Sequence, residues 1–109
     1  MDNSFGLRQT DLENIVSILQ RETAIEEAYI FGSRAKGNYK NGSDVDIALR
    51  GNLIDRKSVS RISHLLNEET IMPYKFDVLN FDDIRNSSLT DHIRRVGKVF
   101  YRKAEKTRG

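Results

Sequence analysis

Asp44 and Asp46 stand one residue apart, eleven residues after a glycine–serine pair, Gly32-Ser33. Around them Val45, Ile47 and Leu49 alternate with Asp44, Asp46 and Ala48. That period of two predicts a strand with both carboxylates on one side. A third aspartate, Asp77, lies in Tyr74-Lys75-Phe76-Asp77-Val78-Leu79-Asn80, on the face opposite Phe76 and Val78. If the two strands pair with their apolar faces on one core, Asp77 falls beside Asp44 and Asp46. Carboxylates ~5 Å apart repel by about 3 kcal/mol at an effective dielectric near 20. Such a cluster must take up protons, a cation or both. With no cysteine and no neighbouring histidine, hard oxygen donors favour magnesium or manganese over zinc. The competing reading is a wet strand face that carries charge for solubility, and strand pairing separates the two.

The run Ala28-Tyr29-Ile30-Phe31-Gly32 reads as a buried strand ending at a glycine, with Ser33 opening a helical turn. Backbone N–H groups and a hydroxyl at such a place form a cradle for phosphate. A helix terminus contributes only about 0.3–1 kcal/mol at an exposed site, too little to hold a triphosphate alone. Metal ions, helped by Arg34 or Lys36, would have to supply the main neutralisation. Either basic residue could equally be a solvated turn residue, and Tyr39 and Lys40 either flank a nucleotide or face water. Gly32 and Gly37 have the glycine spacing of a Walker loop. Asn38 and Tyr39 follow where Lys and Ser or Thr are required, so that reading fails.

The elements that must position these residues follow from periodicity. Leu12, Ile15, Val16 and Leu19 share a helical face over about 11–21, with Thr10 and Glu13 as its expected capping box. The Asn- and Gly-rich segment before Asp44 is a turn. A second helix is expected over about 55–67, with Val59, Ile62, Leu65 and Leu66 facing in. After Pro73 comes the strand of Asp77, and Phe81-Asp82-Asp83 reads as a capping turn, which leaves Asp82 and Asp83 as weaker rivals for the third carboxylate. Leu89, Ile93 and Val96 outline a third helix that Gly97 can end, and Val99-Phe100-Tyr101 can add an edge strand. The result is an α+β fold, a small mixed β-sheet with helices packed mainly on one face.

With 109 residues, the chain has the size of one domain and no room for a separate acceptor-binding domain. We expect that domain over residues 1–103 and a basic, flexible tail over 104–109. Lys and Arg number 18 against 16 Asp and Glu, a net charge of +2 that does not mark a nucleic-acid binder. The basic residues Arg94, Arg95, Lys98, Arg102, Lys103, Lys106 and Arg108 face only Glu105 over the last stretch. That strip is a solvated tail or a docking surface. Without cysteine, a leader-like start or a long apolar run, the expectation is a soluble cytoplasmic protein with no membrane contact. His64 and His92 stand apart in no metal-ligand spacing and read as helix-surface residues.

The composite Gly-Ser-Arg-Ala-Lys-Gly followed by Ser43-Asp44-Val45-Asp46 resembles the signature of minimal nucleotidyltransferases of the DNA polymerase β superfamily. It is especially similar to their stand-alone antitoxin members, the MNT or MntA-like group, which accompany HEPN-domain toxins. The resemblance implies a polymerase-β-like fold with Asp44, Asp46 and Asp77 as catalytic, metal-holding residues for two Mg2+ ions, or Mn2+. It implies that Gly32 and Ser33 grip the distal phosphates of ATP, with Ser43 ordering the turn or a phosphate. The implied reaction is transfer of AMP to a tyrosine hydroxyl of the partner toxin. A binding module that neutralises its partner by complex formation alone is the alternative. A small-molecule nucleotidyltransferase needs an acceptor pocket that only a homo-oligomer could supply, and a DNA-binding regulator rests on the basic tail alone.

Overall fold

The computed structural model describes residues 5–40 and 42–103. The order of elements is α1 (Gln9–Gln20), β1 (Glu27–Phe31), α2 (Ser33–Lys36), β2 (Val45–Arg50), α3 (Arg56–Glu68), β3 (Phe76–Asn80), a 3-10 turn (Phe81–Asp83), α4 (Ser87–Val96) and β4 (Lys98–Arg102). The strands form one mixed sheet in the order β3-β2-β1-β4. Strand β1 runs antiparallel to both β2 and β4, whereas β2 and β3 are parallel. Parallel neighbours need a long crossover, and α3 supplies it. Among the described residues no helix is long and apolar enough to cross a membrane. The basic stretch expected beyond residue 103 lies outside the described residues.

The alternation read in the sequence decides which face each strand buries. Ala28 and Ile30 of β1, Val45, Ile47 and Leu49 of β2, and Phe76 and Val78 of β3 all enter one core. Ile15, Ile18 and Leu19 of α1 and Ile62 and Leu66 of α3 close it from above. Each of the larger side chains among them contributes roughly 1.5–3 kcal/mol when fully buried. The opposite face carries a smaller cluster in which Phe31, Ala48 and Phe81 pack with Ile93 of α4. Thus the two longest helices share one face while α4 covers part of the other. The remainder of that second face, at the start of β2 and β3, is left to Asp46 and Asp77.

The start of α1 differs from expectation. The helix begins at Gln9, and its capping pair is Arg8 with Asp11 rather than Thr10 with Glu13. The Asp11 carboxylate accepts the Arg8 backbone N–H at 3.2 Å and the guanidinium Nε and Nη2 at 3.1 Å each. It also accepts the Tyr74 hydroxyl at 2.8 Å, and Asp11 is 1% exposed. Tyr74 lies far along the chain, so local spacing could not reveal that this acid points inward. Glu13 instead accepts a surface hydrogen bond from Gln9 at 3.2 Å.

One side chain sets where β3 begins. Asn67, in the last turns of α3, donates to the Phe76 carbonyl at 3.0 Å and accepts the Phe76 N–H at 2.8 Å. Both backbone groups of the residue preceding Asp77 are therefore satisfied by one amide. We expect Asn67→Leu, which keeps the volume but leaves both groups unpaired, to lower unfolding free energy by about 1–3 kcal/mol in urea titration. A loss below the error of the titration would show that water replaces the amide without cost.

Candidate active site

Three elements converge where β1 ends and β2 and β3 begin. In the parallel ladder Asp46 is the register partner of Asp77, and in the antiparallel ladder it is the partner of Phe31. Asp46 is half-buried, while Asp77 and Asp44, the residue just before β2, are exposed. Burial pushes the Asp46 carboxyl up to about 6, with Asp77 and Asp44 adding repulsion and the Arg34 cation opposing them. The three aspartates therefore feel one another, as strand alternation required. Asp82 and Asp83 sit on the 3-10 turn beyond the far end of β3. Three strand steps from Asp77 to Asn80 already span roughly 10 Å, and the turn that holds Asp82 and Asp83 begins beyond them, which sets the rivals apart from Asp44 and Asp46.

Gly32 makes the close approach between β1 and β2 workable. Its φ of 74° and ψ of −152° lie where only glycine rests without strain. A Cβ built at Gly32 would overlap Oδ2 of Asp46. Ser33 follows as the first residue of α2, half-buried, with its carbonyl accepting the Gly37 N–H at 2.9 Å. The sequence thus brings Gly32, Ser33, Asp44, Asp46 and Asp77 to one place. Lys36 is exposed in the last turn of α2 and free to swing toward an anion.

Ser43 and Arg34 take different parts. The Ser43 hydroxyl accepts the Lys40 N–H at 2.8 Å while its own N–H donates to the Lys40 carbonyl at 2.9 Å, which orders the turn leading into Asp44. Arg34 is 3% exposed. Its Nε and Nη2 donate to the Ser43 carbonyl at 3.2 and 2.9 Å, and Nη1 donates to the Phe5 carbonyl at 2.9 Å. The guanidinium lies over the Tyr39 ring at 5.2 Å and the Tyr74 ring at 5.1 Å. This geometry turns its donors to main-chain carbonyls rather than to a surface phosphate. Sequence reasoning missed the partnership because Phe5, Tyr39 and Tyr74 come from three separate segments. His92 rests edge-on against Phe31 with ring centroids 6.4 Å apart, and His64 meets Glu69 at 3.2 Å on the surface.

The donor chemistry fits a hard divalent cation. Crowded carboxylates, one held well above the usual range, are relieved by a positive charge, and Asp46 and Asp77 come from adjacent strands. Among the described residues no group of three or more acidic, histidine or cysteine side chains is arranged to hold a metal ion. An open carboxylate set of this kind suits magnesium, which keeps positions for water and phosphate oxygens.

A mixed sheet that crowds carboxylates on the uncovered part of one face, with a glycine–serine turn against them, defines a polymerase-β-like nucleotidyltransferase. The family model described as polymerase beta, nucleotidyltransferase matches residues 13–106, and the chain belongs to that family. Among solved structures, the chain is similar to one from a toxin–antitoxin complex with AMP-PNP (TM-score 0.69, 17% identity, 89% of this chain and 75% of that one). It is similar to a chain in the complex of tri-AMPylated Shewanella oneidensis HEPN toxin with MNT antitoxin (TM-score 0.68, 17% identity, 89% and 74%). A putative nucleotidyltransferase from Sulfolobus solfataricus is matched over 90% of this chain and 92% of that one (TM-score 0.51, 22% identity). No curated protein sequence matches.

Two outcomes test this geometry. Because folding raises the Asp46 pKa above its unfolded value, the native state binds that proton more tightly and loses stability as pH rises toward and through about 6. Without divalent cations, Asp46→Asn should melt above wild type at about pH 8 and lose that advantage near pH 4. Equal melting at both values would place Asp46 in an ordinary carboxylate environment. Gly32→Ala should lose about 1–3 kcal/mol from backbone strain, with further loss from the collision with Asp46. Chemical denaturation checks it, and wild-type stability would contradict the close approach.

Proposed function

We propose that the chain transfers AMP from ATP to a tyrosine hydroxyl of a HEPN-domain toxin and so acts as the antitoxin of a toxin–antitoxin pair. The observation that carries this reading is the parallel register of Asp46 with Asp77, beside Gly32-Ser33, in a chain of the nucleotidyltransferase family. The acceptor and the nucleotide come from similarity to a HEPN toxin–MNT antitoxin complex whose toxin is tri-AMPylated, and to a toxin–antitoxin complex holding AMP-PNP.

In this mechanism Asp44, Asp46 and Asp77 would hold two Mg2+ ions, with Mn2+ as a substitute. Bound there, the metal would neutralise the triphosphate and stabilise charge developing at the α-phosphate. The Gly32 amide and the Ser33 hydroxyl receive the distal phosphates, and exposed Lys36 adds positive charge beside them. Asp77, exposed at the edge of the site, is placed to accept the proton of the incoming hydroxyl. The acceptor oxygen bonds to the α-phosphorus as the bond to the β-phosphate oxygen breaks, and pyrophosphate leaves. Alignment of the two reactants supplies much of the acceleration. Ser43 acts on the turn that presents Asp44.

The test uses ATP labelled at the α-phosphate, Mg2+ and a HEPN-domain protein carrying the acceptor tyrosine. Wild type should label the toxin, and label at the γ-phosphate should not transfer. Asp44→Asn/Asp46→Asn should reduce transfer by at least about 100-fold, the scale on which loss of charge stabilisation acts, and chelation should abolish it. An equally tight complex and full toxin inhibition with no transfer from wild type would make the chain a binding module instead.

A further inference from the structure

We propose that Arg34 is a positioning residue, which locks the backbone immediately before Asp44 and thereby fixes the paired aspartates for reaction. Its catalytic consequence rests on the function proposed above, whereas its effect on the turn does not. An arginine 3% exposed gives up hydration that must be replaced by partners of good geometry. Here two donors of the fork converge on one carbonyl, that of Ser43, at 3.2 and 2.9 Å, and a third reaches Phe5 at 2.9 Å. The ring faces of Tyr39 and Tyr74 lie 5.2 and 5.1 Å from the guanidinium carbon and leave the cation little lateral freedom.

The partners are themselves tied down. Tyr74 donates its hydroxyl to Asp11 at 2.8 Å, and Asp11 is held by Arg8 through both side chain and backbone. On the other side the chain bends to present the Phe5 carbonyl. Phe5 has a φ of 61°, a left-handed conformation that a bulky residue adopts only under strain, and Gly6 follows at 77°. A Cβ at Gly6 would overlap the Tyr39 ring, so the N-terminal segment and the turn fit against each other through Arg34. The load falls on Ser43, whose N–H and hydroxyl already close the turn on Lys40. With its carbonyl also fixed, the residue before Asp44 has its N–H, its carbonyl and its hydroxyl oxygen engaged. A direct phosphate contact would instead need donors turned outward, and a lysine could serve it as a point charge. Fork geometry on a carbonyl is something lysine cannot reproduce.

The experiment compares full-length wild type, Arg34→Lys and Tyr74→Phe by hydrogen–deuterium exchange without metal, and by steady-state AMP transfer to the HEPN-domain acceptor with Mg2+ and ATP. Arg34→Lys should speed exchange in the segment 38–44 by about 10-fold or more while β1 and β2 keep their protection. Its kcat should fall by about 100-fold, the scale of a small misplacement of reacting groups, with the KM for ATP within about 3-fold of wild type. Tyr74→Phe keeps the ring and the charge but frees Tyr74 from Asp11, and should loosen the same segment by a few-fold, roughly what one hydrogen bond is worth. It provides the reading if Arg34→Lys folds poorly. Unchanged exchange over 38–44 in both variants overturns the proposal. So does a raised KM with kcat intact, which marks a direct phosphate contact, or uniform loosening with full activity per folded molecule, which marks a structural arginine. Should wild type itself transfer no AMP, the functional reading fails while the exchange result still decides whether Arg34 orders the turn.

Discussion

Carboxylate repulsion across the β2–β3 ladder is the constraint around which this molecule is arranged. Parallel register sets Asp46 beside Asp77, and Asp44 stands two residues earlier, just before β2. Left in water such charges separate; a sheet ladder does not let them. The unfavourable electrostatics must therefore be carried by the hydrophobic core on the far side of the same strands, where Val45, Ile47 and Leu49 are fully buried. That division of one strand into an apolar face that stabilises and a charged face that destabilises is the physical content of its alternation. It is also why a bound cation would relieve the crowded carboxylates.

Holding the carboxylates in place takes side chains from outside the ladder, and two do so in the same manner. Asn67 binds both backbone groups of Phe76, next to Asp77. Arg34 binds the carbonyl of Ser43, next to Asp44. Each acts on the main chain one residue before a site aspartate, which leaves the carboxylate itself unencumbered. Gly32 completes the arrangement by letting the end of β1 lie against Asp46. The site is thus built from rigid backbone with acids projecting from it, a form suited to catalysis by alignment.

Much of this was legible in the sequence because it depends on local period. Strict alternation around Asp44 and Asp46 gave the strand and its two faces, and Phe76 and Val78 gave the partner strand of Asp77. The Gly–Ser pair at the end of an apolar run gave the turn, since few residues other than glycine tolerate the conformation at position 32. What escaped was set by contacts between distant segments. Asp11 looks like an ordinary first-turn acid until Tyr74 reaches it, and Thr10 with Glu13 was the better local match to a capping box. Arg34 looks like a phosphate ligand until Phe5, Tyr39 and Tyr74 enclose it. The partial cover of the second face by α4 depends on Ile93 meeting Phe31 and Ala48, which helical period alone cannot assign to one side of a sheet.

The most direct test of the central claim is a carbon-detected NMR titration of the aspartate carboxyls, with and without Mg2+. Asp46 should titrate near 6 without metal, and saturating Mg2+ should drive its titration below the usual carboxylate range, near pH 4, while shifting the Asp44 and Asp77 signals. An Asp46 carboxyl that titrates in the ordinary range and ignores Mg2+ would contradict that claim, because the three aspartates would then be surface charges without a shared site.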